Sequence, residues 1–251
     1  MTKLAIIGGT GLDEMPDLEI THREVCHTPF GEPSAALTHG IMSDREVVFL
    51  PRHGASHMIP PHLVNYRANL WALRHLGIET VLGVAAVGGI TSEMAPARIV
   101  IPDQIIDYTF GRDHTIYDTD LSHITHIDFT QPYCENLRQE LIEAGRLCDV
   151  NPLGRATYGA TQGPRLESAA EIVRMERDGC DIVGMTGMPE AALAREFNLC
   201  YASCSVVSNW AAGKVDTQIS MKAIEKNLIH GMDQVKSLLL ALLRSLSAME
   251  G

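Results

Sequence analysis

The chain has 251 residues, 45% of them hydrophobic, 20% charged and 5% aromatic, enough apolar matter for one ordinary core without disulfide or metal staples. Twenty Lys and Arg against 31 Asp and Glu leave a formal net charge of −11. That balance excludes a general nucleic-acid binder, whose affinity rests on neutralising phosphates, and the scarcity of rings excludes a stacking surface for single strands.

In chain order, Lys3 to Gly8 reads as a buried strand running into a glycine turn, and Arg45 to Pro51 as a second strand. Leu63, Tyr66, Leu70, Leu73 and Leu76 recur at helical spacing, which predicts an amphipathic helix over 63–76. Glu79 to Ala86 reads as a strand closing on Gly88–Gly89, and 98–107 as a short apolar run broken by Pro102. Tyr108 to Asp128 is polar and rich in His, Asp and Thr; a connection of that length is expected to be functional. A helix over 132–147 starts near a proline. A strand over 155–160, a helix over 167–178 and a short strand over 181–185 follow. The reading ends with a helix over 189–197, a strand over 199–208 and a long helix over 220–249. Alternating strands and helices without repeats or linkers predict an α/β fold, one three-layer domain over 1–251. The apolar N-terminal stretch is too short and glycine-rich for a signal peptide, and no segment approaches a membrane span. Cys26, Cys134, Cys148, Cys180, Cys200 and Cys204 form no CxxC pair and are expected to be buried thiols in a cytoplasmic protein.

Chemistry-bearing residues gather at the predicted strand ends. Gly8-Gly9-Thr10-Gly11 reads either as a plain tight turn or as an anion cradle of free N–H groups. Arg52-His53 follows a strand, and an Arg fork matches a phosphate; a solvated strand end is the alternative. The small residues of Ala85-Ala86-Val87-Gly88-Gly89 suit either close ligand approach or tight packing. Ligands of α/β sheets bind where strands end, so three such ends favour one anion pocket. Among the histidines, neither His53/His57 nor His123/His126 has the Cys or carboxylate company of a zinc site, and no metal is expected.

Five motifs occur in order between residues 4 and 214: GGTGL, RHG with VNYRANLWAL, AAVGG, GPRLES and VGMTGMPEAALARE. Together they resemble the trimeric purine nucleoside phosphorylase and methylthioadenosine phosphorylase family. The resemblance implies a central mixed sheet flanked by helices, a homotrimer, and inorganic phosphate as co-substrate with no cofactor. It also implies a phosphate site of Thr10, Arg52, His53, Ala85, Ala86 and Thr186, and Met185 beneath the ribose.

Base recognition narrows the substrate. Adenosine-type relatives carry Asp at the position of Asn209 and again two residues on, where this chain has Ala211; oxopurine-cleaving relatives carry a Glu at the position of Glu167, beside Leu166. The physics agrees with the comparison. An amide donates and accepts, so Asn209 meets N7 and O6 of a 6-oxopurine, and Glu167 accepts from N1–H. Adenine would oppose Glu167 with a lone pair, at a cost of roughly 1–3 kcal/mol. At the sugar's 5′ end, Met221 and Ile224 stand one helical turn apart where plain nucleoside phosphorylases often carry a His. His57 and His126 match positions near the methylthio pocket, His126 reaching across a subunit boundary. The expected reaction is phosphorolysis of S-methyl-5′-thioinosine, with Asn209, Arg52 and His53 as catalytic residues. The alternatives are S-methyl-5′-thioadenosine and inosine or guanosine.

Overall fold

A strand buried on both faces reads as an unbroken apolar run, and Leu4–Gly8 is such a strand, buried at every position. A computed structural model describes all residues except 1–2, 10–11, 13–14, 16, 119–123, 217–220 and 250–251, with backbone alone at 221 and 247–249. The elements are β1 (Leu4–Gly8), β2 (Glu19–Glu24), β3 (Leu37–Met42), β4 (Arg45–Pro51), α1 (Tyr66–His75), β5 (Thr80–Gly89), β6 (Ile99–Val100) and β7 (Gln104–Asp107). They continue with α2 (Glu135–Leu147), β8 (Thr157–Ala160), α3 (Ala169–Arg177), β9 (Ile182–Gly184), α4 (Gly187–Glu196), β10 (Cys200–Trp210) and α5 (Met221–Met249).

All ten strands join one mixed sheet, in the order β2-β3-β4-β1-β5-β9-β8-β7, with β10 on β5 and β6 on β10. Alternation along the strands sorts side chains into two cores. Ala5, Ile7, Val48 and Leu50 pack with Leu70, Leu73 and Leu193 of α1 and α4. Leu4, Ile6, Val47 and Phe49 pack with Leu137, Leu141, Leu238 and Leu242 of α2 and α5. The expected three layers follow: helices, mixed sheet, helices.

The structure departs from the sequence reading in several places. The hairpin β2–β3 was not anticipated, because β2 is solvent-exposed almost throughout and carries no alternating apolar signal. The strand read over 79–86 does not close before the glycines; β5 continues through Gly89, paired to β10 on one edge. The expectation of six free thiols is corrected by a disulfide between Cys134 and Cys200. Cys134 N donates to Tyr201 O at 2.8 Å, which docks the start of α2 beside the start of β10 across 66 residues of chain. Cys26, Cys148, Cys180 and Cys204 remain free. Between Tyr108 and Cys134 the described residues form no helix or strand, as expected of a long loop.

Candidate active site

A cavity of about 510 Å³ opens over the ends of β4, β5, β9 and β10. Of the residues assigned to phosphate, Arg52, His53, Ala85, Ala86 and Thr186 line it; Leu166, Glu167, Asn209 and Ala211 line it for the base, and His57, Met185 and Ile224 for the sugar. Thr10 and the side chain of Met221 lie outside the described residues. His126 is exposed and stands apart from the cavity of its own chain.

Arg52 is 1% exposed and is held by a group the sequence reading left without a role. Its Nε and Nη2 donate to Glu190 at 2.6 and 2.7 Å, and Nη1 donates to Val84 O at 2.9 Å. Tyr201 Oη donates to the same carboxylate at 2.7 Å. Burial opposes the guanidinium charge, but the Glu190 carboxylate outweighs it and holds the pKa above its ordinary value. A guanidinium has five N–H donors. Three are engaged here, which leaves two for an oxyanion. Gly9 accommodates this arrangement: a Cβ there would lie 2.8 Å from Arg52 Nη1 and 2.6 Å from Val84 O.

The sheet opens at the same place. One edge of β5 pairs with β1 up to Gly83 and with β9 from Gly88, so 84–87 on that edge have no strand partner among the described residues. Successive backbone groups point to opposite edges. Val84 O faces the gap, since it accepts from Arg52, whereas Val87 O faces β10, where Ser208 Oγ lies 3.1 Å away. Ala86 therefore presents its N–H to the gap. Ala85, expected to offer the same contact, turns its N–H toward β10 and contributes surface alone.

His53 completes this end. Its Nδ1 lies 2.8 Å from Ile59 O; a carbonyl only accepts, so Nδ1 carries the proton and Nε2 the lone pair. Burial and the neighbouring Arg52 charge push its pKa down to about 4, so the ring is a neutral acceptor at pH 7. Thr186 is buried at the turn into α4, and its side chain caps nothing. Its hydroxyl meets the buried Tyr158 Oη; accepting from the phenol leaves its own proton for an anion.

At the base end, Ser208 Oγ donates to Asn209 Oδ1 and Asn209 Nδ2 donates to Trp210 O, both at 2.7 Å. A bulge between Val207 and Asn209 turns the side chain out of the ladder, and Asn227 Nδ2 from α5 fixes Ser208 O at 2.8 Å. One N–H of Nδ2 and one lone pair of Oδ1 remain unengaged by these bonds. Thr161 Oγ1 donates to Glu167 Oε1 at 2.6 Å. Ser168 and Glu171 form the capping box of α3, so Glu167, one residue before the cap, has no capping duty.

The sugar floor depends on the long loop. Arg112, 8% exposed, donates through Nη1 to Met185 O and Met188 O, and through Nη2 to Thr161 O and Gln162 O. One side chain thus fixes the turns that carry Met185 and Thr161. Gly163 (φ 61°) lets the second turn pass over Met185, where a Cβ would lie 2.5 Å from Sδ. Neither Arg112 nor Thr161 was singled out from sequence. The one signal for Arg112 is a lone Arg in an otherwise polar, acid-rich loop.

Comparison with known proteins places this geometry. The sequence pattern of the phosphorylase superfamily matches residues 3–244. A probable S-methyl-5′-thioinosine phosphorylase of Pseudomonas syringae is 52% identical over 239 residues, covering 95% of this chain and 97% of the relative. The 6-oxopurine nucleoside phosphorylase of Pyrococcus furiosus is 43% identical, covering 96% and 92%. Among solved structures, a Schistosoma mansoni methylthioadenosine phosphorylase in complex with adenine superposes with a TM-score of 0.93 at 32% identity, covering 99% of this chain and 93% of that one.

Proposed function

The chain belongs to the phosphorylase superfamily, and from that premise we propose that it cleaves S-methyl-5′-thioinosine with inorganic phosphate, releasing hypoxanthine and 5-methylthioribose 1-phosphate. The observation that carries the substrate is a matched pair in one cavity: an amide with a donor to spare at Asn209, and a carboxylate at Glu167 whose second oxygen is left to accept. A 6-oxopurine satisfies both.

The chemistry follows from the same groups. Hydrogenphosphate is held by the two remaining Arg52 donors, the Ala86 N–H and the Thr186 hydroxyl, beneath the sugar on its Met185 floor. As the bond from C1′ to the purine nitrogen breaks, the sugar gains cationic character and phosphate shields it. The departing electron pair flows into the purine, where the spare Asn209 N–H meets growing charge at N7 or O6. An interaction that strengthens only as charge develops lowers the barrier and not merely the binding energy. A phosphate oxygen then bonds C1′. Hydrogenphosphate carries one proton that the sugar phosphate lacks, and that proton ends on the released base. His53 Nε2, a neutral acceptor, receives the P–OH hydrogen bond and so orients the attacking oxygen away from it.

Ile224 in the cavity wall offers an apolar contact to a 5′-methylthio group and nothing to a hydroxyl. The same reading takes residues 1–251 as one phosphorylase domain and the assembly as a homotrimer, with exposed His126 entering a neighbour's site. The compartment proposed is the cytoplasm. No described helix is long and apolar enough to cross a membrane. The test is a phosphate-dependent panel of methylthioinosine, methylthioadenosine and inosine with the released base identified. Turnover of methylthioinosine without added phosphate, or a preference for methylthioadenosine, defeats the proposal.

A further inference from the structure

Away from the cavity, the edge hairpin brings together three ligand-bearing side chains. The register shift between Ile20 and His22 sets His22 directly opposite His39 across β2 and β3, and Glu24, two residues on, shares that face. The two imidazoles stack with centroids 4.2 Å apart. One ligand atom from each of the three residues lies within 4.8 Å of the others. Glu24 Oε2 stands 3.1 Å from His39 Nε2. That contact is within ion-pair distance but lies off the hydrogen-bond axis, so the sealed Nε2 has no aligned partner.

The extra residue of the bulge supplies the outer contact. Thr21 Oγ1 donates to His39 O at 3.2 Å and lies 3.2 Å from His22 Nδ1. A hydroxyl has one proton, so His22 is the donor in the second contact, and its lone pair resides on Nε2. An imidazole whose other nitrogen is anchored in this way is oriented for metal binding. Lys3, whose charge reaches His39, is paired to Glu46 at 2.9 Å, which offsets it.

We propose that His22, Glu24 and His39 bind one zinc-class divalent ion, with water completing the shell. Two imidazoles and one carboxylate suit zinc and its transition-metal neighbours; magnesium and calcium require oxygen shells. Bond lengths of about 2.0–2.1 Å put tetrahedral ligand atoms roughly 3.4 Å apart, so closure asks for small side-chain rotations, which exposed His22 permits. The site clips the sheet's edge hairpin and is independent of the phosphorolysis reading.

Calorimetric titration of the chelator-stripped full chain with zinc tests this. One equivalent per chain is expected. His39→Ala should weaken binding about 100-fold or more, and Glu24→Gln and Thr21→Val each about 10-fold, with metal-free melting and phosphorolysis unchanged. Glu24→Gln, nearly isosteric on an exposed strand, serves if His39→Ala does not fold. No binding by the wild type, or equal affinity in all variants, marks an adventitious contact and overturns the site.

Discussion

Replacing Glu167 by Gln isolates the group proposed to read the purine's N1 position. Thr161 Oγ1 has one proton and donates it to Glu167 Oε1 at 2.6 Å, its other acceptor, Gly184 O, being at 3.3 Å. In Glu167→Gln that hydroxyl claims the amide oxygen and thereby turns the NH2 group toward the base. A donor then opposes the N1–H of the 6-oxopurine. A hydrogen bond to a charged group is worth about 1.5–3 kcal/mol. Because Glu167 is half-buried, the lower part of that range applies, about 2 kcal/mol, or roughly 30-fold in kcat/KM. The 6-aminopurine gains a partner for its N1 lone pair, worth about 1 kcal/mol or roughly 5-fold. The ratio of kcat/KM for methylthioinosine over methylthioadenosine, measured at saturating phosphate, should therefore fall about 150-fold. Adding Thr161→Val removes the template, lets the amide turn its oxygen to N1–H, and should restore part of the oxopurine preference, a coupling that a double-mutant cycle reads directly. A ratio unchanged within threefold would refute the assignment of Glu167. A double variant identical to the single one would refute the role of Thr161.

Asn209→Ala should lower kcat by about 10²–10³ while melting within about 2 °C of the wild type, as stopped-time product assays and a thermal melt would show. Arg112→Lys keeps a charge but loses the fork that spans Thr161, Gln162, Met185 and Met188; calorimetry should record a loss of about 3 kcal/mol, a fall of roughly 6–12 °C in Tm, with kcat/KM down about 10-fold or more. For His53 the folded pKa of about 4 lies below the ordinary imidazole value of 6.5, so the unfolded chain takes up a proton first. This residue adds no pH dependence above 6.5, and stability falls as pH drops from 6.5 toward 4, by up to about 3 kcal/mol. NMR titration should place its midpoint near pH 4, and His53→Gln should lose that part of the acid sensitivity. Ile224→His should raise the preference for inosine over methylthioinosine about 10-fold by giving a 5′-hydroxyl a partner; an unchanged ratio in a paired assay would remove Ile224 from the sugar's 5′ end.

Local regularities carried much of this protein in its sequence. The runs 4–8 and 47–51 are buried from both sides, so hydrophobicity alone marks them as central strands; of the helix read over 63–76, Tyr66–His75 forms α1, while Leu63 lies before it and is exposed. Arg52, Thr186 and Asn209 stand at or just past strand ends, a local feature that an α/β sheet brings to one rim; the roles of Thr186, Asn209 and of Ala86, which lies inside β5, were implied by the family resemblance. What tertiary structure alone decided is who meets whom. Glu190 sits in an apolar helix, and only the fold sets it against Arg52, 138 residues away. Arg112 reaches carbonyls 49 to 76 residues distant, and Cys134 meets Cys200 across 66. Propensity and periodicity depend on neighbours along the chain. The partner of a buried charge is selected by desolvation, which requires whatever donor or acceptor the packed chain brings within reach, and that neighbour has no fixed distance in sequence.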